Sequence, residues 1–497
     1  MTVATSTTQT AATATAAVGV LPPGLRGPRT VPNVAVEEQG DVNILLHPER
    51  ASYLVTDEAG LRAYRLADGT RTAAEILAEM NEGLEDLDPE LEAAMHSFFR
   101  EVMLSGFLAR PDLARPDLAR PGAARPDVAR RSAARPSHAP PVRVRSLFLH
   151  LTNVCNVACT HCYRASGPFH PAAGTELSKE RIFELVDELV ELGGQKITFT
   201  GGEPLARRDC LEILRYAGAR VRLTLLTNAM LIDERVARAL AELPISVQVS
   251  LDGSTAEVHD AVRGRGSFER TLSGIAHLRA AGLGPKMSLS ASMLRSNLHD
   301  LLHLIPLAEQ LELPELRFMP LHELGRAQQG WGRIAPTHDE CLTFYRKLYF
   351  EGYASHPTIR VHTGFSGLVL PSARNDPGHS WCPIGQIVTL KPNGDAYACA
   401  LMMKDEDYIG NVRGLSLRAL QESHGLEKAA RDVARRRELI PKCQACNWRH
   451  FCQGSCTGLT RIKAGSMWAT DGFCELRRKI YRSTVLGTRP NRRPCPS

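Results

Sequence analysis

Three cysteines stand within eight positions in LTNVCNVACTHCY (151–163): Cys155, Cys159 and Cys162, spaced C-x3-C-x2-C. Close thiols serve two chemistries, disulfide formation in oxidising compartments and metal ligation in reducing ones. A structural zinc site closes a tetrahedron with four ligands, so these thiols are one short unless His150 or His161 completes the set. A cubane iron–sulfur cluster also has four metal corners, and three thiolates leave one iron open to another ligand. The spacing therefore points to a cluster with an open iron, with a zinc knuckle as the competing chemistry.

The C-terminal third carries a second concentration of thiols. Cys382 and Cys399 flank PIGQIVTLKPNGDAYA, which reads as a hairpin with an Asn-Gly turn. Cys443, Cys446, Cys452 and Cys456 are spaced C-x2-C-x5-C-x3-C, and Cys474 follows in DGFC. Zinc ribbons need paired C-x2-C elements, and one is present. Cys210, Cys341 and Cys495 read as buried or incidental thiols. The start, MTVATSTTQTAATATAAVGV, has neither a basic n-region nor an apolar core, and reads as an Ala/Thr tail rather than a secretory signal. No apolar run reaches the roughly 18 residues a membrane span needs. A cytoplasmic, reducing setting is the expectation, and it favours metal over disulfide for the 13 cysteines.

The elements that must position these groups fall on either side of a tether. The net charge of +6 suggests nucleic acid, but nine arginines against three aspartates between Arg110 and Arg145 account for all of it. That stretch, ARPDLARPDLARPGAARPDVARR, has proline too often for a helix and no apolar period, so it reads as an extended linker. No aromatic residues accompany it, which argues against an RNA-binding arm. Before the tether, VAVEEQ, VNILLHP and ASYLVT read as strands, and TAAEILAEM and DPELEAAMHSFFREVMLSGFL as helices, giving a small α+β module. After it, SLFLHLT, KITFTGG, LTLLTN, VQVSLDG, MSLSASM and LRFMPL read as strands separated by helix-length segments. Such βα repetition implies a parallel sheet with chemistry at the C-terminal strand ends, where the three-cysteine loop falls.

These residues resemble the radical S-adenosylmethionine enzymes. The C-x3-C-x2-C loop followed by Tyr163, the GGEP turn (Gly201, Gly202, Glu203, Pro204), Thr227 and Asn228, the SLDG turn with Ser250 and Asp252, and Arg263 in HDAVR stand on successive strand ends. The resemblance covers roughly 145–345 and implies a partial (β/α)6 TIM-like barrel, an α/β fold. It implies that the open iron chelates S-adenosylmethionine, GGEP receives its amino group, Arg263 faces its carboxylate, and Thr227, Asn228 and the SLDG turn lie on its ribose side. One electron then cleaves the cofactor to a 5′-deoxyadenosyl radical that abstracts hydrogen from the substrate.

The later cysteines resemble the SPASM extension, which implies two auxiliary 4Fe–4S clusters and three clusters in all. By that resemblance Cys443, Cys446, Cys452 and Cys474 hold one completely. Cys382, Cys399 and Cys456 hold the other, with Asp376, His379 or the substrate as fourth ligand. Sulfatase maturases place an acidic base after the hairpin's second cysteine, and here Ala400 stands there. The N-terminal module resembles the PqqD-like, winged-helix-like recognition elements. That implies a leader peptide bound as an added strand against 51–56 and the helix over 89–108. The expected organisation is a tail (1–32), recognition domain (33–108), linker (109–143), radical core (144–345), bridging region (346–380), SPASM domain (381–484) and tail (485–497). The expected function is oxidative maturation of a ribosomally made precursor peptide by a thioether or carbon–carbon crosslink, with an electron donor such as flavodoxin or ferredoxin and without nucleic acid or membrane partners. The alternatives are haem- or quinone-type cofactor maturation, or a sulfatase-maturase-like activity. The catalytic base is not assigned.

Overall fold

A computed structural model describes residues 29–39, 42–48, 52–80, 97–99, 101–103, 105–109, 142–170, 175–351, 353, 356–363 and 382–486. Nearly all of the tether, half of the helix expected over 89–108, and Asp376 and His379 lie outside the described residues. The chain divides into two compact units, and the described residues of the first lie within 29–109 and 445–451.

In the first unit β1 (Arg29–Thr30) pairs antiparallel with β5 (Leu108–Ala109), and β2 (Ala35–Gln39), β3 (Val42–Leu46) and β4 (Tyr53–Thr56) form an antiparallel sheet in that order. The expected β4 edge is thus an edge of the sheet. VNILL lacks apolar–polar alternation because β3 is the central strand, with Asn43, Ile44, Leu45 and Leu46 all buried. A helix over Glu58–Leu66, capped by the Asp57 carboxylate accepting from the Gly60 amide at 2.8 Å, follows β4 and was not expected from the sequence. The helix over Ala73–Met80 matches TAAEILAEM. Leu54, Leu61, Phe98, Phe99, Val102 and Phe107 close the core. The segment 445–451 belongs to this unit: the Trp448 indole N–H donates to Glu37 on β2 at 3.0 Å, Arg449 donates to the Pro48 carbonyl at 3.3 Å, and the Phe451 and Tyr53 rings lie 6.3 Å apart.

The second unit is built on seven parallel strands: β6 (Ser146–His150), β7 (Lys196–Thr200), β8 (Arg222–Thr227), β9 (Ile245–Ser250), β10 (Met287–Met293), β11 (Glu315–Pro320) and β12 (Arg360–Thr363). β13 (Ile387–Leu390) joins β6 in parallel, and β14 (Asp395–Tyr397) and β15 (Tyr408–Asn411) extend the sheet antiparallel to ten strands. The six expected barrel strands are all present, and β12 and the parallel placement of β13 are additions. Among the described residues the order runs from β12 to β15 without closing, which makes this a partial barrel. Helices return the chain between strands, with Ser178, Asp233, Thr255 and Thr337 side chains accepting from their first turns, caps worth about 1 kcal/mol each.

Strand parity decides which face does chemistry. Leu147, Leu149, Ile197, Phe199, Leu223, Leu225, Val247 and Val249 pack with the helices in one large core. The alternate positions, including Phe148, His150, Thr198, Thr200, Thr224, Gln248, Ser250, Ser290 and Ser292, turn to the opposite, inner face. That face is largely polar, unlike a filled barrel core.

Candidate active site

The loop after β6 holds Cys155 and Cys159 buried and Cys162 partly so, packed with Val157 and Met230. Burial pushes the Cys155 thiol up to about 12, with the neighbouring Cys159 and Cys162 adding to the shift. Such thiols are protonated on their own, and iron binding would displace their protons. Among the described residues no three His, Cys, Asp or Glu side chains converge on a single metal ion. A cubane makes a different demand, because each thiolate takes its own iron corner.

Main-chain bonds stitch this loop to GGEP. The Leu151 amide donates to the Thr200 carbonyl, the Gly202 amide to Thr152 and the Glu203 amide to Val154, at 2.8, 2.8 and 2.9 Å. A Cβ on Gly202 would stand 2.1 Å from the Val154 carbonyl oxygen, and Gly201 has φ +144° with the Thr152 carbonyl 2.5 Å from its Cβ position. Only glycine permits this approach. Pro204 then opens a short helical turn. The Glu203 carboxylate is buried and accepts from Thr227 Oγ1 at 2.8 Å, the Asn228 amide at 2.8 Å and the Leu205 amide at 3.2 Å. Burial raises its pKa, and these three bonds oppose the rise. Asn228 Nδ2 donates to Asn156 Oδ1 at 2.7 Å and reaches 3.9 Å from the Cys155 sulfur. GGEP, Thr227 and Asn228 are thereby brought to the cysteine loop as one assembly.

The SLDG turn is fixed from behind. Asp252 is fully buried, its Oδ2 accepting from Arg263 Nε at 2.6 Å and its Oδ1 from the Ser292 amide at 2.7 Å. Burial alone would raise its pKa, but Arg263, His161 and the Ser292 N–H outweigh burial and lower it. His161 Nε2 is 3.6 Å from Asp252, yet burial depresses the imidazole to about 4, so the contact is polar rather than an ion pair. Cys159 and Cys155 act on the Arg263 guanidinium, which places its head beside the loop thiols. Ser250 ends β9, immediately before this turn. Asn297, also fully buried, donates to the Asp252 and Ser292 carbonyls at 2.7 and 2.9 Å and ties β9 to β10.

One contributor had no signal in the sequence. Arg326, beyond β11, donates to the carbonyls of Cys159 at 2.5 Å, Ser166 at 2.6 Å and Ala165 at 3.2 Å, while its amide donates to Cys162 at 2.9 Å. Gly325 before it has φ +57°, and its Cβ would lie 2.4 Å from the Tyr163 carbonyl. This turn clamps the cysteine loop from the far side of the barrel strands.

Further thiols gather at the C-terminal hairpin. Cys382 precedes β13, Cys399 follows β14 and Cys456 caps the helix over Thr457–Ala464. Burial lifts Cys399 to about 12, and Cys382 and Cys456 add to the shift. Arg436, 1% exposed, donates to the Met467, Ser455 and Ala469 carbonyls and the Thr457 and Thr460 hydroxyls. Burial lowers its pKa, and Cys382, Cys443 and Cys456 are the first groups opposing that. A buried guanidinium bonded to neutral oxygens beside three thiols suits thiolate ligation, which would supply the missing negative charge. Cys452 and Cys474 lie beside one another next to the buried Arg477–Asp471 pair. Cys446 belongs to the first unit and Cys443, Cys452 and Cys474 to the second. Cys210 sits in the barrel core, away from these groups.

A cysteine loop at the head of the first barrel strand, stitched to a Gly-Gly turn and faced by a buried arginine, defines a radical S-adenosylmethionine enzyme. The chain belongs to the radical SAM superfamily, whose family model matches residues 149–307. It is similar to the mycofactocin maturase MftC of Mycobacterium tuberculosis, 34% identical over 312 residues, 62% of this chain and 76% of that protein. It is also similar to the AdoMet-dependent heme synthase of Methanosarcina barkeri, 27% identical over 361 residues, 68% of this chain and 97% of that protein. Among solved structures, native anSMEcpe with bound AdoMet shares the fold at a TM-score of 0.54 and 17% identity, covering 69% of this chain and 97% of that one. Streptococcus suis SuiB bound to precursor peptide SuiA does so at 0.52 and 14%, covering 90% and 100%. No described helix is long and apolar enough to cross a membrane.

Proposed function

We propose that this enzyme is a peptide maturase, which binds the leader of a ribosomally made precursor through its N-terminal unit and oxidatively crosslinks the core. The observation that carries the reading is the pairing of a three-cysteine loop stitched to the GGEP turn with two further thiol groups and a separate small sheet ending in the edge strand β4. Cys155, Cys159 and Cys162 hold the cluster that receives the cofactor. Cys382, Cys399 and Cys456 hold one auxiliary cluster, and Cys443, Cys446, Cys452 and Cys474 the other. Glu203 braces the GGEP backbone for the cofactor's amino group, and Asp252 holds Arg263 for its carboxylate. The bound cluster and S-adenosylmethionine supply the radical that takes hydrogen from substrate, and the auxiliary clusters supply an acceptor for the electron released when the new bond forms. The leader adds to β4 by main-chain hydrogen bonds, and the tether raises the core's effective concentration at the barrel. The similarity to a protein named as a mycofactocin maturase and the likeness to a structure holding a precursor peptide support this reading.

A small-molecule reading is favoured by one observation, the match to 97% of a heme synthase. The separating experiment gives the reconstituted enzyme, under anaerobic conditions with a reductant, either a leader-bearing precursor peptide or an iron porphyrin. Peptide maturation predicts hydrogen loss from the core by mass spectrometry and peptide-stimulated 5′-deoxyadenosine formation. Porphyrin turnover with an unchanged peptide would replace this proposal with the other. The bond formed is read from fragmentation of the product, a thioether or a carbon–carbon crosslink.

A further inference from the structure

At the head of β6, on the inner face of the barrel, three basic side chains gather with no carboxylate in ion-pair contact among the described residues. The ladder pairs Phe148 with Thr389 and Leu149 with Leu390, so the next step of the register sets His150 beside Lys391. The His150 ring is fully buried, and neither of its nitrogens has a hydrogen-bond partner. Its rings of contact are Phe148 at 5.4 Å and Tyr163 at 6.1 Å, both edge-on. Arg164 and Lys391 both act electrostatically on it. Arg164 gives one terminal nitrogen to Asn153 Oδ1 at 3.1 Å, while its buried Nε has no partner. Lys391 donates to the Tyr397 hydroxyl at 2.7 Å. Among the described residues neither cation stands within ion-pair distance of a carboxylate. Asp395 and Asp405 act on Lys391 from beyond ion-pair contact, and Asp395 is bonded to Asn393 and Asn411 at 2.7 and 2.8 Å.

We propose that this cluster of His150, Arg164, Lys391 and Tyr397 is a carboxylate-binding subsite for the substrate. Water would satisfy the unpartnered donors but leave two like charges facing one another on a sparsely hydrated surface. A carboxylate satisfies both needs, because its two oxygens accept from guanidinium, ammonium and imidazole donors together. Burial lowers the pKa of His150 and of Lys391, with the neighbouring cations adding to the fall and Asp395 and Asp405 only partly opposing it at Lys391; a bound anion would oppose it further. The placement gives the subsite a purpose. Tyr163 follows Cys162 in one thiol group, and Tyr397 stands two residues before Cys399 in another. A substrate residue anchored here by its carboxylate would rest on the chain segments that lead into both of these thiol groups. Phe148, Tyr163 and Tyr397 would flank its apolar part. The inference rests on the peptide reading for what brings the carboxylate: the chain's own C-terminus or an acidic side chain.

The test uses reconstituted full-length enzyme with saturating S-adenosylmethionine, so that the cofactor's own carboxylate is already placed. Three probes are compared by ligand-observed NMR: N-acetylalanine, N-acetylaspartate α-amide and the uncharged N-acetylalaninamide. Saturable binding of either acid but not of the amide is expected, and which acid binds identifies a C-terminal or a side-chain source. Lys391→Met and Arg164→Gln should each weaken it about tenfold, the loss of one charge-assisted hydrogen bond, whereas Lys391→Arg should retain it. The reduced clusters should also shorten the bound probe's proton relaxation times, a measurement on the unaltered enzyme that stands if a variant fails to hold iron. Equal binding of the uncharged probe, no saturable binding of either acid, indifference to both substitutions at unchanged iron content, or no relaxation effect would each overturn the subsite. None of the probes requires the leader. A failure of the peptide reading alone would therefore appear as absent leader binding with acid binding intact.

Discussion

Arg326 caps three carbonyls of a loop whose cysteines lie over a hundred and fifty residues earlier, through bonds spanning 160 to 167 positions. A guanidinium does this with a rigid fork that lysine lacks. Arg326→Lys should keep the charge but lose the clamp, releasing about 2 kcal/mol of restraint on the loop. The expected outcome is a faster loss of the 4Fe–4S absorbance in the presence of an iron chelator, at unchanged melting temperature. An unchanged bleaching rate would mean the loop holds its cluster unaided. Asp252→Asn tests the opposite wall of the site. The amide still accepts from the Ser292 N–H, but the charge that orients Arg263 is gone. The KM for S-adenosylmethionine, read from 5′-deoxyadenosine formation, should rise roughly tenfold. At this scale the cysteines were legible because their spacing is local, as were GGEP and SLDG. Arg326, Asn297 and His150 were not, since each owes its role to partners that only the closed barrel brings near. An arginine after a strand looks the same in sequence whether it faces solvent or caps a cluster loop.

Among the elements, the six barrel strands declared themselves by apolar runs between amphipathic helices. β12 did not, because RVHT is short and polar and pairs in parallel with a strand some forty residues earlier, from Glu315. The helix over Glu58–Leu66 was hidden by its glycine, which reads as a turn residue. The structure gives Gly60 another reason: a Cβ there would meet Thr56 Oγ1 at 1.8 Å and Phe98 at 3.1 Å. GGEP meets the cysteine loop closely in the second unit. Gly202→Ala would drive its Cβ into the Val154 carbonyl, 2.1 Å away, where backbone rather than a flexible side chain must yield. We expect the variant to bind iron at Cys155, Cys159 and Cys162 yet lose most cofactor cleavage, because the turn proposed to receive the amino group is displaced while the thiols are not. Iron analysis beside a 5′-deoxyadenosine assay checks this. Full cleavage by the variant would show that the loop tolerates separation.

For the whole molecule, the sequence suggested a small α+β module before the tether and chemistry after it, but not the return of the chain to the first unit. Residues 445–451, which contain Cys446 and end just before Cys452, are counted with the N-terminal sheet, where Trp448 is 1% exposed and bonded to Glu37. Helix and strand patterns carry no mark of such a docking, since a tryptophan between two cysteines reads equally as cluster packing. The consequence bears on truncation. Deleting residues 1–108 removes the expected leader site and also the surface on which Trp448, Arg449 and Phe451 rest. The residues proposed to hold S-adenosylmethionine all fall in the second unit, so uncoupled 5′-deoxyadenosine formation should persist. Peptide turnover at low peptide concentration should collapse, because the tether's concentration advantage goes with the leader site. Iron should fall as well, from about twelve atoms per chain toward eight, because the segment presenting Cys446 loses its support. Glu37→Gln is the milder control: it keeps β4 and an acceptor for the Trp448 indole, so its iron content and leader affinity should stay near those of the parent enzyme. A truncated enzyme that keeps all its iron would show that the Cys446 segment holds its fold without the sheet, and one that still turns over dilute peptide would remove recognition from the N-terminal unit altogether.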